Sequence, residues 1–219
     1  GKCMDTLIQD LVATTDQRPL SSFLTGSSDT FESDDSLVTL IVVGSNGLAK
    51  EFAQGAEKRC YGEHMEYPFE NKLYELDIKV VEDDGNETDV FNDLDDISTT
   101  GLCCVFASKD SYNYVERYLE KTVGQSDDIL SEDVPIVLVL AQDPKEKESQ
   151  EELKSKAQEL VNRYNCVFID IHISHFYRDQ LITDTQVDEA IKNILEGIKN
   201  QTRSRCTSED MKEPDPDLR

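Results

Sequence analysis

Apolar positions follow two periods along this chain, and the switch between them recurs. Leu37–Val43 (LVTLIVV) is almost wholly apolar, as a strand buried on both faces must be. A glycine turn follows, and then helical spacing over about Leu48–Cys60. Residues 61–72 (YGEHMEYPFENK) keep no period and read as irregular. In Leu73–Val81, Tyr74, Leu76, Ile78 and Val80 alternate with Glu75, Asp77 and Lys79, so one face meets water, as in an edge strand. Farther on, Val90, Leu94 and Ile97 keep a weak helical spacing. Gly101–Ala107 and Val134–Ala141 are again continuous apolar strands, and Val167–Ile171 is the last. Between them the spacing predicts a helix over Ser111–Val123, capped by Asp110, carrying Val115 and Leu119 inward and stopped by Gly124. A second helix over about Gln150–Tyr164 opens with a Ser149/Glu152 capping box. A third over about Thr185–Asn200 buries Val187, Ile191, Ile194, Leu195 and Ile198.

Strand and helix thus alternate from about residue 37 to 202, which predicts an α/β domain: a mostly parallel sheet flanked by helices on both faces. Its ligands would sit beyond the carboxyl ends of the strands. Residues 1–36 read as an amphipathic helix (Met4, Leu7, Ile8, Leu11, Val12) and an acidic linker, and 203–219 as a disordered tail. Both flanks are expected to be acidic and flexible.

Composition narrows the partners. Among 219 residues, 46 acids face 22 bases, for a net charge of −24. Such a surface repels nucleic acid and anionic membranes, so the expected partners are proteins. Residues 82–97 hold eight acids and no base. Of the six cysteines, the adjacent Cys103 and Cys104 point to opposite faces of a strand and cannot pair with each other. With no CxxC, no signal peptide and no long apolar span, the expectation is reduced thiols in a cytoplasmic protein. A chain opening on Gly1 is expected to be a piece of something longer.

Candidate chemistry concentrates at the first turn. A phosphate-binding loop reads G-x-x-x-x-G-K-S/T after a strand. Here Gly44, Gly47 and Lys50 stand in an otherwise altered loop, with Ala49 at the second required glycine and Glu51 at the hydroxyl.

The stretches VVGSNGLAK, GLCCVFASKDSYNYV and DVPIVLVLAQDP, in this order and with these gaps, resemble a small Ras-type GTPase. More specifically, KLYELDI, GLCCVFASKDSYNYVERYLEK and NCVFIDI resemble the pseudoGTPase domains of the large (one-hundred-and-ninety-kilodalton class) Rho GTPase-activating proteins. The resemblance covers about residues 37–201 and implies a Ras-like fold. It also identifies which positions would have to bind nucleotide. Ala49 would add a Cβ where phosphates must approach closely, and Glu51 replaces the Mg²⁺-binding hydroxyl. Residues 61–72 supply no switch threonine. The second switch falls on Glu82-Asp83-Asp84-Gly85, which has the wrong acid. The guanine-reading positions hold Ala141, Gln142, Asp143 and Pro144, and Pro144 cannot accept the two hydrogen bonds of the guanine edge, each worth about 1.5–3 kcal/mol. The last motif falls near Asp170-Ile171-His172 without its serine and lysine.

The resemblance therefore implies a module that neither binds nor hydrolyses GTP, needs no cofactor or metal, and serves a Rho GTPase-activating protein as a scaffold or regulatory interaction domain. The parent would act in Rho signalling on the actin cytoskeleton, through a catalytic domain lying elsewhere. Two alternatives stay open: a divergent GTPase or nucleotide sensor using Lys50, and an unrelated α/β interaction domain. Other constellations read blandly. His172, His175, Asp170 and Asp179 are too few in register for a metal. Cys60 and His64 lack the third group that a nucleophile needs. Tyr112, Tyr114 and Tyr118 read as core and rim, and Ser33, Ser36, Thr207 and Ser208 as phosphorylatable positions in acidic flanks.

Overall fold

A computed structural model of the chain describes residues 37–83, 99–123, 133–142, 150–170 and 180–209, with side chains through 202 in the last segment. The chain divides into units 1–33 and 34–219, and all described residues belong to the second. The expected N-terminal helix and linker, the weak spacing at Val90–Ile97, Gly124, Ser149 and Pro144 lie outside the described residues.

Six strands form one sheet: β1 (Leu37–Gly44), β2 (Glu66–Phe69), β3 (Lys72–Val81), β4 (Thr100–Phe106), β5 (Ile136–Leu140) and β6 (Val167–Ile169). Four α-helices alternate with them: α1 (Leu48–Arg59), α2 (Lys109–Thr122), α3 (Gln150–Tyr164) and α4 (Asp184–Glu209). The strand order is β2-β3-β1-β4-β5-β6, and every pairing except β2 with β3 is parallel. This is the Ras-like α/β architecture that the sequence predicts.

Strand periodicity sorts the core into two layers. Leu40, Val42, Cys103, Val105, Val137 and Val139 face α1 and α4, where Phe52, Ala56, Ile191 and Ile194 meet them. Their chain neighbours Ile41, Val43, Leu102, Cys104, Leu138 and Leu140 face α2 and α3 and pack on Val115, Leu119, Leu153 and Leu160. Cys103 and Cys104 accordingly fall in different layers. Gly101 lets α4 lie close to β4, since a Cβ there would collide with Cγ2 of the buried Ile194.

Three expectations are corrected. Leu73–Val81 is not an edge strand: β3 lies between β1 and β2, and the edge is β2, inside the stretch that reads as irregular. Its alternation has another cause. Leu76 joins the α1/α4 layer, while Glu75 and Asp77 are exposed on the opposite face, and only Val81 at the strand's end joins the α2/α3 layer. β2 escapes notice because it is four residues long, contains Pro68 and turns through only Glu70 and Asn71. Helix α2 starts at Lys109, and its cap is Ser108 in a reciprocal box with Ser111 rather than Asp110. Finally, α4 continues through Glu209, so the helix enters what reads as a disordered tail.

Candidate functional site

In this strand order the chain leaves β1 toward β3 and leaves β4 toward β5. The topological switch point therefore lies beyond the carboxyl ends of β1 and β4, where such sheets bind ligands. The turn after β1 occupies that place. Asn46 and Gly47 both take left-handed backbone (φ 57° and 81°), and Gly47 is the N-cap of α1 without lending it any side-chain hydrogen bond. Gly44 is required by space, because a Cβ on it would stand 2.9 Å from the Ala49 nitrogen and 3.2 Å from the Val105 carbonyl oxygen. The loop thus leaves the Gly47 and Lys50 N–H groups at the start of α1 directed outward, where an anion can accept from both.

An anion is there, and the chain supplies it. Glu82, the residue directly after β3, turns its carboxylate into the loop. Oε2 accepts from the Gly47 N–H at 3.1 Å, and Oε1 accepts from the Lys50 N–H at 3.0 Å. Lys50 Nζ lies 4.0 Å from the same Oε2. The Glu82 side chain is only 6% exposed, whereas that of Lys50 is 59% exposed. In a phosphate-binding loop those backbone groups and that lysine face the phosphates.

The altered positions are also occupied, though not as the sequence suggests. Ala49 is fully buried in the α1/α4 layer close to Gly44, so its methyl group belongs to the core and does not project into the cradle. Glu51 is engaged by the chain itself, its Oε1 accepting the Leu181 N–H at 3.0 Å. Leu181 in turn accepts the Gln142 N–H at 2.8 Å, and the buried Ala141 donates its N–H to the Phe106 carbonyl at 2.8 Å.

Gln186 closes the far side. Its Nε2 donates to the carbonyls of Leu140 (2.8 Å) and Asp170 (3.2 Å), at the carboxyl ends of β5 and β6. Its Oε1 accepts the Thr183 N–H at 3.0 Å, and its own N–H donates to Thr183 Oγ1 at 3.2 Å, completing a capping box on α4. The side of the sheet expected to read a base is thus tied together by one buried amide. An open cavity of about 660 Å³ flanks the loop, lined by Asp83, Asp110 and Glu116 against Arg117, with Ser45, Asn46, Asn113 and Tyr114. Its acids outnumber its base three to one, which disfavours a polyphosphate.

The remaining candidates stay apart. Burial pushes the Cys60 thiol up to about 11, with Glu57 adding to the shift, the reverse of what a nucleophile needs. Asp170 pairs with Lys154 at 3.1 Å, while His172, His175 and Asp179 lie outside the described residues. No cluster of three metal-ligating side chains occurs among the described residues. Tyr112, Tyr114 and Tyr118 are all buried, as core residues of α2. Among the described residues no helix is long and apolar enough to cross a membrane. Sequence reasoning placed Glu82 at the second-switch position without seeing its contact with this loop, and it missed Gln186, which was readable as the fourth residue of Thr183-Asp184-Thr185-Gln186, a capping-box spacing.

Comparison with known proteins agrees with this architecture. The family model described as RHG35/p190RhoGAP, pG1 domain, matches residues 32–216. The chain is 26% identical over 225 residues to Rho GTPase-activating protein 35 of Mus musculus, covering 99% of this chain and 15% of that protein. It is 29% identical over 180 residues to Rho GTPase-activating protein 190 of Drosophila melanogaster, covering 79% of this chain and 11% of the relative. With the family model spanning most of its length, the chain belongs to the pG1-domain family of RHG35/p190RhoGAP.

Proposed function

We propose that this domain is a non-catalytic pseudoGTPase module, a structural and regulatory interaction domain within a cytoplasmic Rho GTPase-activating protein. The observation that carries the reading is the Glu82 carboxylate seated on the Gly47 and Lys50 N–H groups. A nucleotide phosphate would have to displace a buried carboxylate that already satisfies both donors. The acids around the loop would oppose it, and Glu51 offers no hydroxyl to Mg²⁺. In this reading Rho inactivation, and through it control of actin, is the work of another part of the parent, since this chain spans only 15% of the Mus musculus relative.

The divergent-GTPase alternative is tested by nucleotide carry-over. With eight tyrosines and no tryptophan the protein absorbs weakly at 280 nm, so a retained nucleotide would dominate its ultraviolet spectrum. Protein purified without denaturation should be free of nucleotide; a stoichiometric guanine nucleotide would overturn the reading.

The partner surface we favour is the outer part of β3. β2 pairs only with Lys72–Glu75, so beyond the Met65–Leu76 hydrogen bond no strand lies beside residues 77–81 on that side among the described residues. An extended segment of a partner could add there through backbone hydrogen bonds, with Glu75 and Asp77 favouring a basic one. Reversing both charges (Glu75→Lys with Asp77→Lys) should weaken such a complex; unchanged affinity for an established partner would rule this surface out.

A further inference from the structure

The open cavity of about 660 Å³ carries more negative charge than the protein itself answers. One part of its lining is α2, where Asp110, Asn113 and Glu116 recur at the spacing of a single helix face. The rest includes Ser45 and Asp83, the latter just past the end of β3. Glu116 already has Arg163 at 3.9 Å. Arg117, the cavity's base, gives its Nε–H to the Asn113 carbonyl of its own helix at 3.2 Å. Asp83 and Asp110 form no ion pair among the described residues. The α2 dipole explains a carboxylate at Asp110, in the first turn, but not one at Asp83, which follows another element. Ser45 supplies a separate sign. It is 2% exposed, what surface it keeps lies on the cavity wall, and its hydroxyl makes no hydrogen bond among the described residues. A buried hydroxyl without a partner is costly, so one that opens on a cavity marks a place for a ligand's polar group. We propose that this cavity is a receptor for a guanidinium cation, with the Asp83 and Asp110 carboxylates as its charged acceptors and the Ser45 hydroxyl and Asn113 amide as its neutral ones.

The choice of cation follows from the acceptors. A bare metal ion is a poor match, because no group of three His, Cys, Asp or Glu side chains that could hold one occurs among the described residues. The acceptors come from separate elements: the turn after β1, the end of β3 and the first turns of α2. A guanidinium carries five N–H donors in one rigid plane and can serve several such groups at once, whereas an ammonium presents three around a point. It is also the more weakly hydrated of the two, so it gives up less on leaving water. The net charge of −24 raises the concentration of any such cation near the surface. Two sources offer this chemistry, an arginine side chain of a protein partner and a free arginine-like molecule. Neither the Glu82 contact nor the absence of nucleotide is needed for the site.

The test is a titration of the full ¹⁵N-labelled chain with acetyl-arginine amide at constant ionic strength, read from backbone amide chemical shifts. Saturable shifts should centre on Ser45, Asp110 and Asn113, with a dissociation constant on the order of millimolar. Acetyl-citrulline amide, nearly the same shape without the charge, should leave these amides unmoved. Asp83→Asn and Asp110→Asn should each weaken binding by about three- to tenfold, the open cavity moderating the loss of a charged acceptor. Ser45→Ala should weaken it by about twofold or more. The same spectra show that each variant is folded, so a loss of binding is not mistaken for a loss of structure. The peptide acetyl-Gly-Gly-Arg-Gly-Gly-amide separates the sources. Binding tighter than acetyl-arginine amide by tenfold or more supports the site as a receptor for a partner's arginine; equal or weaker binding supports it as one for a free cation. No saturation up to about 20 mM, an equal response to the citrulline compound, or an affinity unchanged by both aspartate substitutions would overturn the inference.

Discussion

Replacing Gln186 with leucine substitutes an apolar side chain of comparable volume for a buried amide and leaves its partners behind. The side chain is 1% exposed, so water does not replace what it supplied. The Leu140 carbonyl loses a buried donor at 2.8 Å, and leaving such an acceptor unsatisfied costs about 1–3 kcal/mol. The Asp170 carbonyl loses a longer, half-buried bond at 3.2 Å, which we weight at about half of that. The Thr183 N–H loses its acceptor at the start of α4, a capping loss of about 0.5–1 kcal/mol. The extra apolar surface that leucine buries returns about 1 kcal/mol. The net is a destabilisation of about 1–4.5 kcal/mol. Urea denaturation followed by far-ultraviolet circular dichroism should read this as a midpoint lower by about 0.3–2 M, for a slope of about 2–3 kcal/mol/M. Gln186→Glu, which keeps the Thr183 acceptor but turns an acceptor on both strand-end carbonyls, should be at least as destabilising. A leucine variant within about 0.5 kcal/mol of wild type would mean that this amide does not hold the ends of β5 and β6 together.

Two further outcomes follow from the packing. Gly101→Ala drives a methyl group into Ile194 and should cost about 1–3 kcal/mol, or a melting point lower by about 2–12 °C; no change would contradict the close α4–β4 approach. Burial raises the thiols of Cys60 and Cys166 to about 11 and those of Cys103 and Cys104 higher still, so little thiolate exists at pH 8. Alkylation read peptide by peptide should therefore be slow at all four, with Cys60, the most accessible, accelerating as pH climbs toward 11. Rapid labelling of Cys103 or Cys104 in the native state would count against the two-layer core.

Much of the fold was legible because burial on both faces leaves a plain mark. β1, β4 and β5 are unbroken apolar runs, and α3 and α4 carry regular stripes. β2 was not legible: four residues with a proline show no period, and its pairing with β3 is a tertiary fact. The error about β3 has the same origin, since alternation reports a wet face and says nothing about whether a strand lies beside it. At the site, the sequence located the loop through Gly44, Gly47 and Lys50 and marked Ala49 and Glu51 as departures. In the structure Ala49 is core, and Glu51 accepts the Leu181 N–H. The residue that fills the cradle, Glu82, stood in the sequence only as the wrong acid at the second-switch position, because nothing local tells a buried carboxylate from its solvated neighbours.

In the reading proposed above, the protein's own groups fill the nucleotide position, with Glu82 on the phosphate cradle and Gln186 across the ends of β5 and β6. Calorimetric titration of the wild-type protein with Mg·GTP and Mg·GDP tests this most directly. Only heats of dilution are expected up to about 1 mM nucleotide, a limit corresponding to no more than about 4 kcal/mol of binding free energy. A saturating isotherm with micromolar or tighter affinity would contradict it.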